Sequence, residues 1–166
     1  EVGQPGSAAP AGARAAAAAA MQDDALGYTV ALGLPALRAR IAQLYGEWYN
    51  VDLNPERVVV TSGSSAAFLL AFTALFEAGD RVAIGAPGYP SYRQILKALS
   101  LEPVLIEAQP ENRLQPIATD LKGLNAQGLM VASPANPTGT MLDHASMSSL
   151  IGAAQEAGAV FISDEI

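Results

Sequence analysis

The sequence predicts an α/β fold, in which a mainly parallel, doubly wound sheet carries helices on both faces. From Pro55 onward, short runs rich in β-branched residues alternate with longer stretches of helical composition. These short runs are apolar throughout and do not alternate with polar residues, so we expect strands that are covered on both faces. Such strands are typical of parallel sheets with right-handed helical crossovers.

Residues 1–27 are predicted to form an N-terminal arm and a helix, and residues 28–166 to form the main domain. Glycine and proline dominate the first dozen residues, whereas alanine dominates Ala13–Met21 and predicts a helix there. Pro35 suits the first position of a second helix. Apolar residues recur at helical spacing after it, at Leu37, Ile41, Leu44 and Trp48.

The remaining elements alternate along the chain. The predicted strands are Arg57–Thr61, Asp80–Ile84, Pro103–Glu107, Gly128–Ala132 and Ala159–Ser163. The predicted helices between them are Ser65–Phe76, Ser91–Leu99, Ile117–Leu124 and Ala145–Ala157. Strand therefore follows helix along most of the chain, as a doubly wound sheet requires.

Composition excludes several classes of function. The formal net charge of −7 and the pI near 4.5 argue against a nucleic-acid or membrane-surface partner. The chain has no cysteine and a single histidine, which excludes disulfides, thiol chemistry and a zinc site of the usual ligands. No signal peptide or membrane-spanning run is apparent, so we expect a cytoplasmic protein.

The chain begins at Glu1, without an initiator methionine, and stops at Ile166, directly after a predicted strand. A strand is usually followed by a loop to further structure. We therefore expect the chain to be part of a longer protein.

The loops that follow the predicted strands hold the candidate functional residues, because ligands of such sheets bind at the carboxyl ends of the strands. In Thr61-Ser-Gly-Ser-Ser65, Gly63 permits a tight turn before a helix. The helix N–H groups and the hydroxyls of Ser64 and Ser65 suit a phosphate group, although an ordinary serine cap is equally compatible with the pattern.

Two proline-rich loops restrict an aromatic and an amide side chain. Tyr89 lies between Gly88 and Pro90, where it could cover a flat ring or serve only in packing. Asn136 lies between two X-Pro bonds and could donate a hydrogen bond to a ligand oxygen, or form a plain Asx turn.

Asp164 ends the last apolar run of the chain. A carboxylate there is costly to bury unless a cation pairs with it, and a protonated pyridine nitrogen would be such a partner. Taken by themselves, Asp164 and Glu165 could equally be metal ligands or solvated charges.

Five motifs together resemble the large domain of the class I/II aminotransferases, which are fold-type I enzymes that use pyridoxal 5′-phosphate (PLP). In chain order they are GYTVALGLPALR, VVVTSGSSAA, GDRVAIGAPGYPSY, ASPANPTGT and FISDEI. The resemblance extends from about Gly3 to Ile166. It implies that residues 28–166 form part of a PLP-binding large domain, and that the rest of that domain and the small domain lie outside this chain.

The resemblance also implies roles for individual residues. Ser64 and Ser65 would hold the PLP phosphate, with Gly63 making room for it. Tyr89 would stack on the pyridine ring, and Asn136 would donate a hydrogen bond to the phenolic oxygen of the ring.

Three further roles follow from the same resemblance. Asp164 would pair with the pyridine N–H and keep that nitrogen protonated, so that the ring can accept electrons from the substrate. Tyr28 would reach the cofactor phosphate of a neighbouring subunit, which implies a homodimer. Gly3 would lie near the substrate carboxylate.

The family's cofactor-binding lysine and carboxylate-binding arginine would both lie beyond Ile166. Lys97 and Lys122 do not fit the lysine's position, because both lie in stretches where a solvated lysine is expected. The predicted function is an aminotransferase that moves an amino group from an amino acid to a 2-oxo acid. Another fold-type I enzyme, such as a C–S lyase or decarboxylase, and a non-enzymatic PLP-binding regulatory domain are the alternatives.

Overall fold

A computed structural model describes residues 6–166 of the chain. Contacts between residues divide the described chain into two compact units, one that ends at Val60 and one that spans residues 61–166, and these are described separately. The predicted boundary between an N-terminal arm and a main domain, after residue 27, remains a prediction.

The first unit is helical. It contains α1 (Ala11–Asp23), α2 (Pro35–Tyr49) and a short 3-10 helix (Pro55–Arg57). Both predicted helices are confirmed. α1 has no buried residue, and α2 begins with Pro35 as its sequence predicts.

The predicted strand Arg57–Thr61 is wrong. Arg57 ends the 3-10 helix, Val58 has an extended backbone, and residues 58–60 belong to no strand of the described sheet. The backbone N–H of Val60 instead donates to the Leu32 carbonyl at 3.0 Å. Valine-rich composition favours extended backbone, but only a neighbouring strand converts extended backbone into a sheet strand.

The second unit contains a four-stranded sheet, and every pair of neighbouring strands in it is parallel. Its strands are β1 (Arg81–Ala86), β2 (Glu102–Glu107), β3 (Gly128–Ala132) and β4 (Val160–Asp164). They lie in the order β2-β1-β3-β4, so β1 and β3 are neighbours although β2 lies between them in the chain. The predicted parallel, doubly wound α/β fold is confirmed for this unit.

Helices cover both faces of this sheet. They are α3 (Ser64–Leu75), α4 (Pro90–Ala98) and α5 (His144–Glu156), together with a short 3-10 helix (Ala118–Leu121) in place of the predicted Ile117–Leu124 helix. On one face Phe72 of α3 and Leu96 of α4 pack with Val82 and Ile84 of β1. On the other face Leu150 of α5 packs with β1, β3 and β4 side chains.

A cavity of about 730 Å³ lies on the α5 face of the sheet. Its walls include the first residue of β3 and the residue before β4, so it lies at the amino ends of these strands. Within residues 6–166, no helix combines the length and the apolar character needed to span a bilayer.

The core of the second unit predicts that substitutions at two adjacent residues of α4 have very different effects on stability. Leu96 is fully buried and Lys97 is exposed. We expect Leu96→Ala to lower the free energy of unfolding by about 2–5 kcal/mol, because it removes buried methyl groups and leaves a cavity. Urea unfolding of the full-length protein measures this loss. Lys97→Ala is the matched control and should change stability by about 0.5 kcal/mol or less; equal losses in the two variants would contradict the described core.

Candidate active site

The carboxyl ends of three neighbouring strands meet at one edge of the sheet. β1 leads into the loop that contains Tyr89, β3 leads into the loop Ser133–Thr140, and β4 ends at Asp164. Ala132 and Asp164 are paired in the β3–β4 register, and the Ser133 N–H donates to the Asp164 carbonyl at 3.0 Å. This edge therefore brings together loops that are distant in the sequence, as parallel topology requires.

Asp164 is held by a tyrosine hydroxyl. Tyr92, in the first turn of α4, donates a hydrogen bond to the Asp164 carboxylate. Tyr92 is only 4% exposed, whereas Asp164 is half-buried. Burial raises the pKa of Tyr92 above its ordinary value, and the hydrogen bond and charge of Asp164 raise it further. The hydroxyl consequently stays protonated and remains a donor to the carboxylate.

The Asp164 carboxylate has no cationic side-chain partner within residues 6–166. The salt bridges in that part of the chain join Arg40 to Glu47 and Arg81 to Glu102. A neutral phenol orients the carboxylate without cancelling its charge. The edge therefore keeps a half-buried negative charge, which a cationic group of a ligand could pair with.

An aromatic cluster extends from Asp164 toward α3. The Tyr92 ring lies edge-on to Tyr89, at 5.4 Å between ring centroids, and edge-on to Phe68 of α3 at 5.2 Å. Tyr89 is half-buried and immediately precedes α4. The structure thus joins Tyr89 and Asp164 through a residue, Tyr92, that both contact.

The start of α3 presents backbone donors. Gly63 precedes the helix with a φ of +89°, a conformation that glycine adopts at little cost, and it has no side chain to cap the first N–H groups. Ser64 and Ser65 occupy the exposed first turn, and Phe68 follows one turn later. Because Phe68 contacts Tyr92, the α3 N-terminus belongs to the same side of the sheet edge as the aromatic cluster.

Asn136 lies in the loop after β3 and is exposed. The peptide bonds before Pro134 and before Pro137 are both cis. Backbone hydrogen bonds from Ala135 N–H to Thr140 and from Gly139 N–H to Ala135, at 2.9 and 2.7 Å, close the loop around Asn136. The loop thus carries this side chain at the same edge as Asp164.

The other residues singled out from the sequence are Tyr28, Gly3, Lys97 and Lys122. Tyr28 belongs to the first unit and is fully exposed, at 110% of its reference area. Gly3 lies outside the described residues. Lys97 and Lys122 are exposed, as expected of solvated lysines.

Sequence reasoning missed Tyr92 and Gln115. Tyr92 had a signal, since it lies three residues after Tyr89 on the apolar side of a predicted helix. Gln115 is buried and donates to the two ends of the Asn136 loop. Nothing in its sequence context distinguishes it from a surface glutamine.

The sequence profile of the family "Aminotransferase class I and II" matches residues 2–166. The chain belongs to this family. It is 48% identical over 166 residues to the valine–pyruvate aminotransferase of Mycobacterium tuberculosis, covering 99% of this chain and 43% of that protein. The aminotransferase family therefore accounts for nearly the whole chain.

Solved structures of aminotransferases superimpose closely on the chain. A protein assigned as an aminotransferase in Silicibacter pomeroyi is 66% identical, with a TM-score of 0.90, over 100% of this chain and 42% of that one. The aspartate aminotransferase of Thermus thermophilus with maleate is 27% identical, with a TM-score of 0.93, over 99% of this chain and 44% of that one. The chain thus spans about two fifths of the length of these aminotransferases.

The bond between Tyr92 and Asp164 predicts the effect of removing one oxygen atom. We expect Tyr92→Phe to lower the free energy of unfolding at neutral pH by about 1–3 kcal/mol, because a partly buried carboxylate loses its donor. Wild-type stability should also fall as pH rises above the ordinary tyrosine pKa of 10.0, since the unfolded chain releases the Tyr92 proton first. The variant should lose less stability over that range.

Urea unfolding between neutral pH and about pH 11 measures both effects. Tyr49→Phe removes the same atom from an exposed ring of α2 and is the matched control. A Tyr92→Phe protein as stable as this control would contradict the hydrogen bond.

Proposed function

We propose that the full-length protein is a PLP-dependent aminotransferase that moves an amino group from an amino acid to a 2-oxo acid. The observation that carries the proposal is the half-buried Asp164 carboxylate at the carboxyl edge of the sheet. It is oriented by the Tyr92 hydroxyl and left without a cationic partner in the described part of the chain.

Asp164 is the proposed partner of the pyridine N–H of PLP. A half-buried carboxylate favours a cation beside it, so it raises the affinity of a ring nitrogen for its proton. When bound, PLP supplies an electron-accepting ring, and protonation of its nitrogen strengthens that property. Tyr92 would act on the cofactor through Asp164, because its donated hydrogen bond restricts the direction of the carboxylate.

The first turn of α3 is the proposed phosphate site. Free N–H groups at a helix N-terminus and the positive end of the helix dipole attract an anion. Ser64 and Ser65 add hydroxyl donors, and Gly63 leaves the approach open, since nothing lies within 4 Å of the position a Cβ would occupy. A helix of 12 residues, Ser64–Leu75, supports these donors on a buried apolar side.

Tyr89 and Asn136 are the proposed contacts to the ring itself. Tyr89 presents an aromatic ring that packs against Tyr92, close to the carboxylate that would bind the ring nitrogen. Asn136 can donate an amide N–H to the phenolic oxygen of PLP, because its loop begins beside Asp164.

The substrates and the assembly belong to the same proposal. The valine–pyruvate aminotransferase of M. tuberculosis makes valine and pyruvate the first substrate pair to test, and the aspartate aminotransferase of T. thermophilus makes aspartate the second donor. We propose a homodimer in which the exposed Tyr28 reaches the partner's cofactor phosphate. The role of Gly3 near the substrate carboxylate and a cytoplasmic location remain predictions.

The proposed reaction predicts a reversible spectral cycle. We expect the full-length protein to develop a visible absorption band with PLP, which an amino-acid donor bleaches and a 2-oxo acid restores. Valine, then pyruvate, is the first pair. A band that persists through additions of valine, aspartate and pyruvate would contradict the aminotransferase proposal and favour a non-enzymatic PLP-binding role.

Variants connect that cycle to Asp164. Asp164→Ala should slow bleaching by roughly 100-fold or more, because the ring loses the charge that stabilises its electron-accepting form. Glu107→Ala, which removes the exposed acidic residue that ends β2, is the matched control and should leave the rate unchanged. Unchanged bleaching in Asp164→Ala would remove this residue from its proposed role.

The dimer proposal has its own measurement. We expect sedimentation to give twice the mass of one full-length chain, and we expect Tyr28→Phe to raise the Kd for PLP about tenfold or more, as for a lost hydrogen bond to a charged group. Tyr45→Phe is the control on α2. A monomeric full-length protein, or a Tyr28→Phe variant with the wild-type Kd for PLP, would contradict the shared site.

A further inference from the structure

Apart from tyrosine, Gln115 is the one polar or charged side chain among residues 6–166 that is buried, with 3% of its surface exposed. It lies between the 3-10 helices Pro110–Asn112 and Ala118–Leu121. Burial of an amide is costly unless the amide is hydrogen-bonded. The bonds that Gln115 makes therefore indicate what its burial achieves.

The side-chain amide of Gln115 connects the two ends of the Asn136 loop. Its Nε2 donates to the Ala132 carbonyl at 3.2 Å and to the Thr140 carbonyl at 3.0 Å, and lies 3.3 Å from the Thr140 hydroxyl. Ala132 is the last residue of β3 and Thr140 is the far end of the loop. One NH₂ group thus joins the point where the chain leaves the sheet to the point where the loop closes.

Thr140 transmits this constraint into the loop. Its carbonyl also accepts from the Ala135 N–H at 2.9 Å, and its hydroxyl lies 2.9 Å from that of Thr138. Ala135 is the residue before Asn136. A displacement of Thr140 would therefore move the backbone that carries Asn136.

Ser133 makes two further hydrogen bonds at the ends of the loop. The Ser133 N–H donates to the Asp164 carbonyl at 3.0 Å, and the Ser133 hydroxyl accepts from the Leu142 N–H at 3.0 Å. The first of these bonds joins the start of the loop to the last residue of β4, and the second joins it to the segment that follows the loop. Gln115 adds a connection from a separate segment of the chain, and it bonds both Ala132, the β3 partner of Asp164, and Thr140.

We propose that Gln115 is a positioning residue that directs the Asn136 amide toward the phenolic oxygen of the cofactor. The inference rests on the proposed PLP site. Gln115 acts through Thr140 and Ala135 and does not itself contact the ligand. Substitution of Gln115 should therefore reproduce, in part, the effect of removing the Asn136 amide.

The pH midpoint of the visible band reports the Asn136 contact. An N–H that donates to the phenolic oxygen stabilises the negative charge on that oxygen. A proton held beside the oxygen is then released at lower pH, which lowers the pH midpoint of the band. We expect Asn136→Ala to raise the midpoint in the PLP-loaded full-length protein. Gln115→Met, which keeps the length of the side chain and lacks donors, should raise it by roughly half as much, and the double variant should match Asn136→Ala.

A second measurement needs no cofactor. In cofactor-free full-length protein, Gln115→Met should speed amide hydrogen exchange of Ala135 and Gly139 by about tenfold, and leave α5 unchanged. Gln127→Met is the matched control. In the wild type, the Gln127 Oε1 accepts from the Arg81 N–H at 2.8 Å. Gln127→Met therefore also removes a glutamine hydrogen bond, but at the amino ends of β1 and β3.

The outcomes separate this inference from the proposed function. A moved midpoint in Asn136→Ala with a wild-type midpoint in Gln115→Met would overturn the role of Gln115 alone, as would fully additive shifts in the double variant. An unmoved midpoint in Asn136→Ala would overturn the proposed PLP contact, and the inference with it. If urea titration shows that Gln115→Met is not folded, Gln115→Glu replaces it. The glutamate carboxylate would face two carbonyl oxygens and could not donate to them, so the pH midpoint should again rise.

Discussion

The hydrogen bond from Tyr92 to Asp164 connects a helix on one face of the sheet to the final residue of strand β4. Its donor is neutral, so the carboxylate gains a fixed direction and keeps its negative charge. A lysine or arginine in the same place would hold the carboxylate equally well and would cancel the charge that a cationic ligand atom needs. The remaining features of the sheet edge follow from this arrangement.

Tyr92 occupies its position because two sets of contacts agree. Pro90 begins α4 immediately after Tyr89, and the third residue of the helix then turns toward the sheet. Phe68 of α3 and Tyr89 contact the Tyr92 ring edge-on from two sides. Packing thus restricts the ring before any ligand binds, and the hydroxyl reaches Asp164 as a consequence of apolar contacts.

The Asn136 loop illustrates a different means of preorganisation. Its backbone is closed by its own hydrogen bonds, yet its two ends are joined by the buried amide of Gln115, which comes from a separate segment. A buried amide with several acceptors restricts a loop more than apolar contact does, because hydrogen bonds specify direction as well as distance. Loops that carry binding residues need such support from outside, since their own apolar content is small.

The sequence by itself determined the local chemistry. Proline and glycine placed the loops that contain Tyr89 and Asn136. Apolar runs between helices predicted five strands, four of which form the parallel sheet, and helices on both of its faces, because backbone preference and periodicity are local properties. The order of motifs also identified the family. Arg57–Thr61 shows the limit of local preference: its valines favour extended backbone, but no described strand pairs with it.

Only the tertiary structure decided which side chains meet. Tyr92 is 72 residues from Asp164 in the chain, and Gln115 is 25 from Thr140. Sequence context gives a tyrosine or a glutamine no partner at such separations, because the strand order β2-β1-β3-β4 and the β3–β4 register set those contacts. Burial distinguished both residues from surface side chains, and burial is a property of the assembled sheet and helices.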